Sequence, residues 1–252
     1  MKVELEVSVG SVADVEAAVA AGADRLELCS ALELGGLTPS TGLVEEALAV
    51  SRVPVVVMLR PRAGGFCYDR HEFAAMLADA ERFLALGASG VVFGVLDKRG
   101  RIDASRSREI IERAGGAESV FHRAFDFISN QRAALDQLME AGYSRVLTSG
   151  GKPTATQGAG AIRELILHAN GRIEVLPAGQ IRPENVVYLV RDTGCTQVHL
   201  GPATAIDDGS ITGDPGVELC DARFIRGYLH RAVARDAVSA TLAALRRASL
   251  HP

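Results

Sequence analysis

The stretch that decides the fold spans residues 2–29, KVELEVSVGSVADVEAAVAAGADRLELC. From Lys2 to Val9 apolar and polar side chains alternate, which is typical of a β-strand. A helical segment, Val12 to Ala21, follows and ends at Gly22, and a second strand is predicted from Arg25 to Cys29. Because two parallel strands need a crossover between them, this strand, helix and strand predict one βα unit of a parallel sheet.

The same unit repeats along the chain, and we predict eight strands with one helix after each. The predicted strands are Lys2 to Val9, Arg25 to Cys29, Val53 to Arg60, Gly90 to Leu96, Ser119 to Ala124, Arg145 to Gly150, Ile173 to Gly179 and Gln197 to Pro202. The predicted helices are Val12 to Ala21, Thr41 to Ser51, Glu72 to Leu86, Ser105 to Ala114, Gln131 to Ala141, Gly160 to Ala169, Pro183 to Asp192 and Phe224 to Ala248.

Eight consecutive βα units close into a barrel at about this chain length. We therefore predict an α/β fold, a TIM (β/α)8 barrel with a short C-terminal extension, as a single domain over residues 1–252. The alternative is an open doubly wound sheet, but the first loop, Gly10-Ser11, lacks the G-x-G-x-x-G fingerprint of that fold. The loop from Asp207 to Glu218, rich in Gly and Asp, is predicted to be a mobile lid.

Composition excludes several classes of protein. With 27 Lys and Arg against 31 Asp and Glu the net charge is −4, and aromatic residues make up 5% with no Trp, so nucleic-acid binding is not expected. No apolar run is long enough to cross a membrane, and the acidic N-terminus does not resemble a secretion signal, which predicts a cytoplasmic protein. The 4 cysteines are widely spaced, which argues against a disulfide framework or a standard zinc site.

Strand alternation indicates which side chains enter the barrel. Alternate side chains of a strand point to opposite faces, so the apolar set faces the helices and the other set faces the barrel interior. The polar residues predicted inside are Glu4, Glu6, Arg25, Glu27, Arg60, His122 and His199. A buried unpaired charge is costly, so these groups must pair with one another or with a ligand. We predict an internal ion pair for Glu4 and Arg25, and functional roles for the groups nearer the strand ends.

The carboxyl ends of the strands carry the chemistry in this fold. We predict Glu6 or Glu27 as general base and His122 as acid or electrophile, because a low dielectric moves such pKa values toward neutrality. The residues predicted to bind a small anionic substrate are Arg60, Arg62, Arg123 at the rim, Ser149, Gly150, Gly179 and His199, since guanidinium groups and exposed N–H groups of glycine loops bind phosphate or carboxylate. The glycines would equally serve tight turns.

Thiols offer a second interpretation. Cys29 closes the second strand and Cys67 lies in the loop after the third, so both project from the same face, and soft thiolates suit Cu(I). Isolated cysteines are also commonly small buried apolar residues. Cys220 lies near the predicted lid. The sequence leaves open whether a divalent metal instead joins Glu6 and Glu27.

Several runs are similar to a known family. Those runs are Gly22-Ala23-Asp24-Arg25-Leu26-Glu27-Leu28-Cys29, Gly35-Gly36-Leu37-Thr38-Pro39-Ser40, Arg60-Pro61-Arg62, Phe66-Cys67-Tyr68, Phe121-His122-Arg123-Ala124-Phe125-Asp126 and Leu147-Thr148-Ser149-Gly150. Together they resemble the CutC family, named for a proposed role in bacterial copper tolerance. The resemblance implies a cytoplasmic TIM barrel, with a homo-oligomer compatible with it, and adds Asp126 to the catalytic candidates. Ser8, where relatives carry Cys, and Gln180, where a smaller residue is usual, depart from the family.

Two functions follow as hypotheses. The first, suggested by the family name, is a copper-associated protein that binds Cu(I) through Cys29 and Cys67. The second, favoured by the charged interior, is an enzyme that acts on a small anionic metabolite by general acid/base chemistry.

Overall fold

The computed structural model describes residues 2–201, 204–207, 210 and 229–250. Eight parallel strands form one sheet in the order β7-β6-β5-β4-β3-β2-β1-β8, and a parallel bridge between Ala178 and His199 joins the two outer strands. The strands are β1 Glu4–Val9, β2 Arg25–Leu28, β3 Val55–Met58, β4 Gly90–Phe93, β5 Glu118–Phe121, β6 Arg145–Thr148, β7 Glu174–Pro177 and β8 Gln197–Leu200. This arrangement confirms the predicted TIM barrel.

Helices alternate with the strands as predicted. They are α1 Val12–Ala21, α2 Thr41–Val50, α3 Arg70–Ala85, α4 Ala104–Ala114, α5 Gln131–Ala141, α6 Ala159–Ala169, α7 Val186–Thr193 and α8 Arg235–Leu250. Local chemistry explains the boundaries. In α1, Ser11 accepts a hydrogen bond from the N–H of Asp14, and Gly22 ends the helix with φ of 98°.

The last helix differs from the prediction. It begins at Arg235, not at Phe224, because Leu229–Ala232 forms strand β10, which pairs antiparallel with β9, Thr204–Asp207. The pairing partner lies more than 20 residues away, and such non-local pairing leaves no mark in helical periodicity. Most of the predicted lid, together with Cys220, lies outside the described residues.

Two apolar layers confirm the predicted side-chain parity. Leu5, Val7 and Val9 belong to the larger layer, between the barrel and its helices. The smaller layer fills the barrel itself and contains Cys29, Val56, Met58, Val92, Val120, Leu147, Leu176 and Ala178. The polar groups of the interior therefore lie on either side of this smaller apolar layer, toward the two ends of the barrel.

No helix within residues 2–201 or 229–250 is both long enough and apolar enough to cross a bilayer.

Candidate functional site

A cavity of about 430 Å³ opens at the carboxyl ends of the strands, and we call it the mouth cavity. Its described lining consists of Ser8, Glu27, Leu32, Leu34, Gly35, Met58, Arg60, Phe66, His122, Arg123, Ala124, Phe127, Leu147, Ala178, Gly179, Gln180, Arg182, His199, Gly201 and Arg231. Apolar walls with a few convergent polar groups are typical of small-molecule sites. The position is the one at which this fold carries its chemistry.

Below the cavity, Glu6 links two basic side chains. Arg25 Nε donates to Glu6 Oε2 at 2.5 Å, and His199 Nδ1 lies 2.7 Å from Glu6 Oε1. Burial alone would raise the pKa of Glu6, but the hydrogen bond with His199 and the charge of Arg25 outweigh it and lower the pKa to about 2. Because ionised Glu6 can only accept, Nδ1 of His199 must carry the proton.

The predicted ion pair between Glu4 and Arg25 is present, but Glu4 does not lie inside the barrel as predicted. The two are 3.7 Å apart, but the Glu4 side chain is 54% exposed, whereas Arg25 also donates to Gln197 Oε1 at 2.8 Å. Parity put Arg25 inside correctly but could not choose between Glu4 and Glu6 as its partner. Glu6 is the buried partner of Arg25, and its role as a catalytic residue stays a prediction.

Glu27 lies on the cavity side of His199. Its Oε2 is 3.8 Å from His199 Nε2 and accepts from the Cys29 thiol at 3.6 Å, while its buried Oε1 has no partner among the described residues. Burial, helped by the nearby charge of Glu6, raises the pKa of Glu27. For His199, burial opposes protonation, but the carboxylates of Glu27 and Glu6 raise the pKa above its ordinary 6.5. Both pKa values are therefore raised, and the two are linked because each group interacts with the other and with Glu6.

His122 supplies a neutral donor. Its Nδ1 accepts from the backbone N–H of Ala124 at 3.1 Å, so the proton of the neutral ring lies on Nε2. Burial, with a smaller contribution from Arg60, lowers the pKa of His122 to about 3. Nε2 is buried and has no partner among the described residues. The ring of Phe66, 5.0 Å away between centroids, covers this histidine.

Arg60 mainly holds loops together. Its Nη1 donates to the carbonyls of Leu34 and Gly36 at 2.9 and 3.0 Å, and its Nη2 donates to Gly64 at 2.9 Å. Phe66 lies 5.3 Å from the guanidinium carbon. Only the buried Nε is without a described partner. These three carbonyls use three of the five N–H groups of Arg60, so the guanidinium does not present the fully free bidentate fork that we predicted.

Arg62 differs more strongly from the prediction. Its guanidinium pairs with Glu72 through Nε at 2.5 Å and Nη2 at 3.2 Å, and donates to the carbonyls of Gly65 and Cys67 at 3.0 Å each. It is not among the described residues of the cavity wall. Because these hydrogen bonds to its own loop and to the start of α3 use the N–H groups of Arg62, the side chain has little remaining capacity to bind an anion.

Arg123 is fixed at the rim by two contacts. Nε donates to Asp126 at 2.8 Å and Nη2 donates to the Ser149 hydroxyl at 2.7 Å. The guanidinium lies against Gly179, whose φ is +109° and where a Cβ would be 3.5 Å from Nη1. The positive φ is what favours glycine at this position, since 3.5 Å is an ordinary van der Waals distance.

Asp126 is a positioning residue. Besides Arg123, it accepts from the Thr148 hydroxyl at 2.6 Å, from the N–H of Ser149 at 2.9 Å and from the N–H of Gly151 at 3.1 Å. These donors hold the carboxylate of Asp126 from several sides. Asp126 therefore orients Arg123 and the loop after β6, and its catalytic role stays a prediction.

The two candidate thiols differ in environment. Cys29 is buried and Cys67 is exposed. Burial, followed by the charge of Glu27, raises the pKa of the Cys29 thiol well above its ordinary value. Its described hydrogen-bonding neighbours are Glu27 and, at 4.0 Å, the hydroxyl of Ser8. A thiolate there is disfavoured until a cation replaces its proton.

One group of three within the described part of the chain has metal-ligand character. Atoms of Glu6, Glu27 and His199 all lie within 4.8 Å of one another. A divalent cation here would compete with Arg25 and with the proton of His199 for Glu6. The guanidinium of Arg25 already supplies positive charge beside Glu6.

The structure brings part of the predicted site together. The predicted residues found in the mouth cavity are Glu27, Arg60, His122, Arg123, Gly179 and His199. The others lie outside its described lining: Glu6, Cys29, Arg62, Cys67, Asp126, Ser149 and Gly150. Gly150 is a packing residue, because a Cβ there would be 2.5 Å from the carbonyl oxygen of Gly158.

The predicted site residues did not include Phe66, Arg182 and Arg231, and Gln180 was noted only as a departure from the family. Gln180 and Arg182 immediately follow β7, so the rule that loops after strands build the site would have found them. Gln180 has a positive φ of 54°, which is uncommon for a residue with a side chain. Arg231 was hidden because its segment was predicted as helix, and its position depends on β10.

Comparison with known proteins agrees with this architecture. The chain matches the CutC family over residues 3–204. It is 42% identical to the CutC family protein of Treponema denticola over 85% of this chain and 87% of that one. It is 41% identical to that of Pasteurella multocida, covering 78% and 81% respectively.

A solved structure supports the same assignment. It is that of a candidate copper homeostasis protein CutC from Streptococcus agalactiae, with a TM-score of 0.75 and 33% identity. The match covers 79% of this chain and 98% of that one. The chain therefore belongs to the CutC family.

Proposed function

We propose that this protein is an enzyme that acts on a small anionic metabolite by general acid/base chemistry in the mouth cavity. The observation that carries the proposal is that Glu27 Oε1, Arg60 Nε and His122 Nε2 are buried without a partner among the described residues, in side chains that line one cavity. An unsatisfied buried polar group costs about 1–3 kcal/mol. Each of these atoms has almost no accessible surface, so a ligand would reach it only when the cavity wall moves, and would then offset this cost.

Glu27 and His199 supply the proton transfer. Glu27, with its raised pKa and free Oε1, is suited to take a proton from a carbon or hydroxyl group of the substrate. The proton bonds to Glu27 Oε1, and the electron pair it leaves moves to the substrate oxygen. His199 exchanges protons with Glu27, and ionised Glu6 keeps the His199 ring oriented through Nδ1.

His122 stabilises the charge that develops on the substrate. A neutral imidazole whose Nε2–H has no partner is a donor ready for an oxygen that gains negative charge. Arg60 Nε is the second donor in the same wall. This division resembles other sites in which neighbouring environments move two pKa values apart.

Exchange with solvent deuterium tests the proposal before any reaction is known. Pools of phosphorylated and carboxylated metabolites are incubated with the protein in D2O, and mass spectrometry detects those that gain deuterium. We expect at least one to exchange, with the rate reduced about 10²–10⁴-fold by Glu27→Gln. Glu45→Gln, on the exposed face of α2, is the matched control and should exchange like the parent. No exchange in any pool, or equal exchange by Glu27→Gln, contradicts the proposal.

A second candidate function is Cu(I) binding through Cys29 and Cys67. It is supported by the name given to the Streptococcus agalactiae relative and by the free state of both thiols. Titration of the reduced protein with Cu(I) against a competing chelator tests it. We expect Cys29→Ser with Cys67→Ser to abolish binding, and Cys195→Ser to leave it unchanged.

Ser8 offers a gain-of-function control for the copper candidate. Its hydroxyl lies 4.0 Å from Cys29 Sγ, so Ser8→Cys places a second thiol beside the first. Cu(I) affinity should rise in that variant, because soft thiolates favour Cu(I). Cu(I) affinity that is unchanged in both the Ser8→Cys and the double Ser variants contradicts copper binding at this mouth.

A further inference from the structure

The mouth cavity is positively charged although the chain is acidic. The protein carries a net charge of −4. By contrast, the described cavity wall contains the guanidinium groups of Arg60, Arg123, Arg182 and Arg231, against the carboxylate of Glu27 in the wall and that of Asp126, which pairs with Arg123 from outside it. Low-dielectric walls concentrate such a field inside a cleft and raise the local concentration of anions.

The unused hydrogen-bonding capacity lies at the rim. Arg123 is held by Nε and Nη2, which leaves Nη1 without a described partner. Arg182 uses its Nη1 on the carbonyl of Ile181 at 2.6 Å, and its Nε and Nη2 have no described partner. The side chain of Arg231 is exposed and has no described hydrogen bond. Arg60, in contrast, spends both terminal nitrogens on backbone carbonyls.

The three rim arginines come from separate parts of the fold. Arg123 follows β5, Arg182 follows β7 and Arg231 lies in β10. They therefore approach the cavity from different elements. A planar carboxylate is satisfied by one bidentate guanidinium, whereas a phosphate dianion presents three oxygens and accepts from several donors around it.

We propose that Arg123, Arg182 and Arg231 bind the phosphate group of a small phosphorylated metabolite at the rim of the mouth cavity. This inference rests on the proposed function and names its substrate class. The phosphate is held at the rim, and the uncharged end of the metabolite reaches toward Glu27 and His122. The carboxylate of Glu27 is thereby kept away from the dianion, since like charges repel.

Calorimetric titration tests the inference with glycerol 3-phosphate, inorganic phosphate, acetate and glycerol as probes. We expect glycerol 3-phosphate to bind the parent at least tenfold more tightly than acetate or glycerol. Each of Arg182→Met and Arg231→Met should weaken its binding about tenfold, as expected for loss of one charged hydrogen bond. Arg163→Met, on the exposed face of α6, is the matched control and should bind like the parent.

Three outcomes overturn the inference. In the first, the double variant Arg182→Met with Arg231→Met binds glycerol 3-phosphate within twofold of the parent. In the second, acetate binds as tightly as the phosphate ester, which indicates a carboxylate site. In the third, inorganic phosphate binds and the ester does not, which excludes a phosphorylated metabolite.

Glu27→Gln separates this inference from the proposed chemistry. That variant should bind glycerol 3-phosphate at least as tightly as the parent, because it removes a negative charge from the cavity and leaves the three rim arginines unchanged. Phosphate binding without deuterium exchange in any pool would retain the rim site and reject the acid/base function. Deuterium exchange without arginine-dependent phosphate binding would retain the acid/base function and reject the rim site.

Discussion

At the amino-terminal end of the barrel interior Arg25 donates to both Glu6 and Gln197, whereas at the carboxyl-terminal end Glu27 and His122 each keep a buried atom without a described partner. Both ends contain charged side chains that β-strand parity sends inward. At the first end these groups largely satisfy one another, although Arg145 leaves its Nε unpaired. At the second end the unpaired atoms belong to residues of one cavity. A charged interior therefore indicates function where partners are lacking, and stability where they are present.

The largest expected effect comes from breaking the paired end. Arg25→Met leaves ionised Glu6 buried without its guanidinium, and the free energy of unfolding should fall by about 3–5 kcal/mol. Urea unfolding measures the change. Adding Glu6→Gln to Arg25→Met should recover part of the loss, because the orphaned charge is removed. A loss below about 1 kcal/mol in Arg25→Met would mean that this end does not depend on its pairing.

The next effect is a pH dependence at the open end. The pKa of His122 is about 3 in the folded protein and near 6.5 when unfolded, so protonation favours unfolding. Its contribution to stability is complete above pH 6.5 and is lost as the pH falls toward 3. At pH 5 the loss is about 2 kcal/mol, from 1.5 units at 1.36 kcal/mol each. His122→Gln should lack this component when unfolding is compared at pH 7 and pH 5. If the parent and His122→Gln lose the same free energy of unfolding between pH 7 and pH 5, the lowered pKa of His122 is contradicted.

The smallest effect on stability is expected at Glu27. Because its Oε1 has no described partner, Glu27→Gln removes little and should change the free energy of unfolding by no more than about 1 kcal/mol at pH 7. Chemical denaturation of Glu27→Gln and Arg25→Met under the same conditions compares the two ends of the barrel directly. A loss as large as that of Arg25→Met would show that Glu27 is a structural residue.

Much of the fold could be predicted because its signal is local. The alternation in Lys2 to Val9 and the glycine after α1 depend on neighbouring residues only, and both predicted the observed elements. Parity also placed Glu27, Arg60, His122 and His199 inside. Strand β10 could not be found in this way, because pairing with β9 is a tertiary property.

The candidate site was predictable only in part for a related reason. Parity indicates that a side chain is inside, but not which of several neighbours it meets, so Glu6 was separated from Arg25 in the prediction. Hydrogen-bond saturation is equally invisible in a sequence. Arg62 and Asp126 look like binding and catalytic residues by type, yet in the structure their atoms are already used by Glu72 and by the loop after β6.

Nitrogen-15 NMR of the histidine side chains tests the central claim most directly, with His122→Gln and His199→Gln providing the assignments. We predict that His122 stays neutral at pH 5 with its proton on Nε2, and that His199 carries a proton on Nδ1 and titrates above pH 6.5. Titration of both rings near pH 6.5, or a His122 proton on Nδ1, would contradict the proposed contrast between a paired and an unpaired end of the barrel.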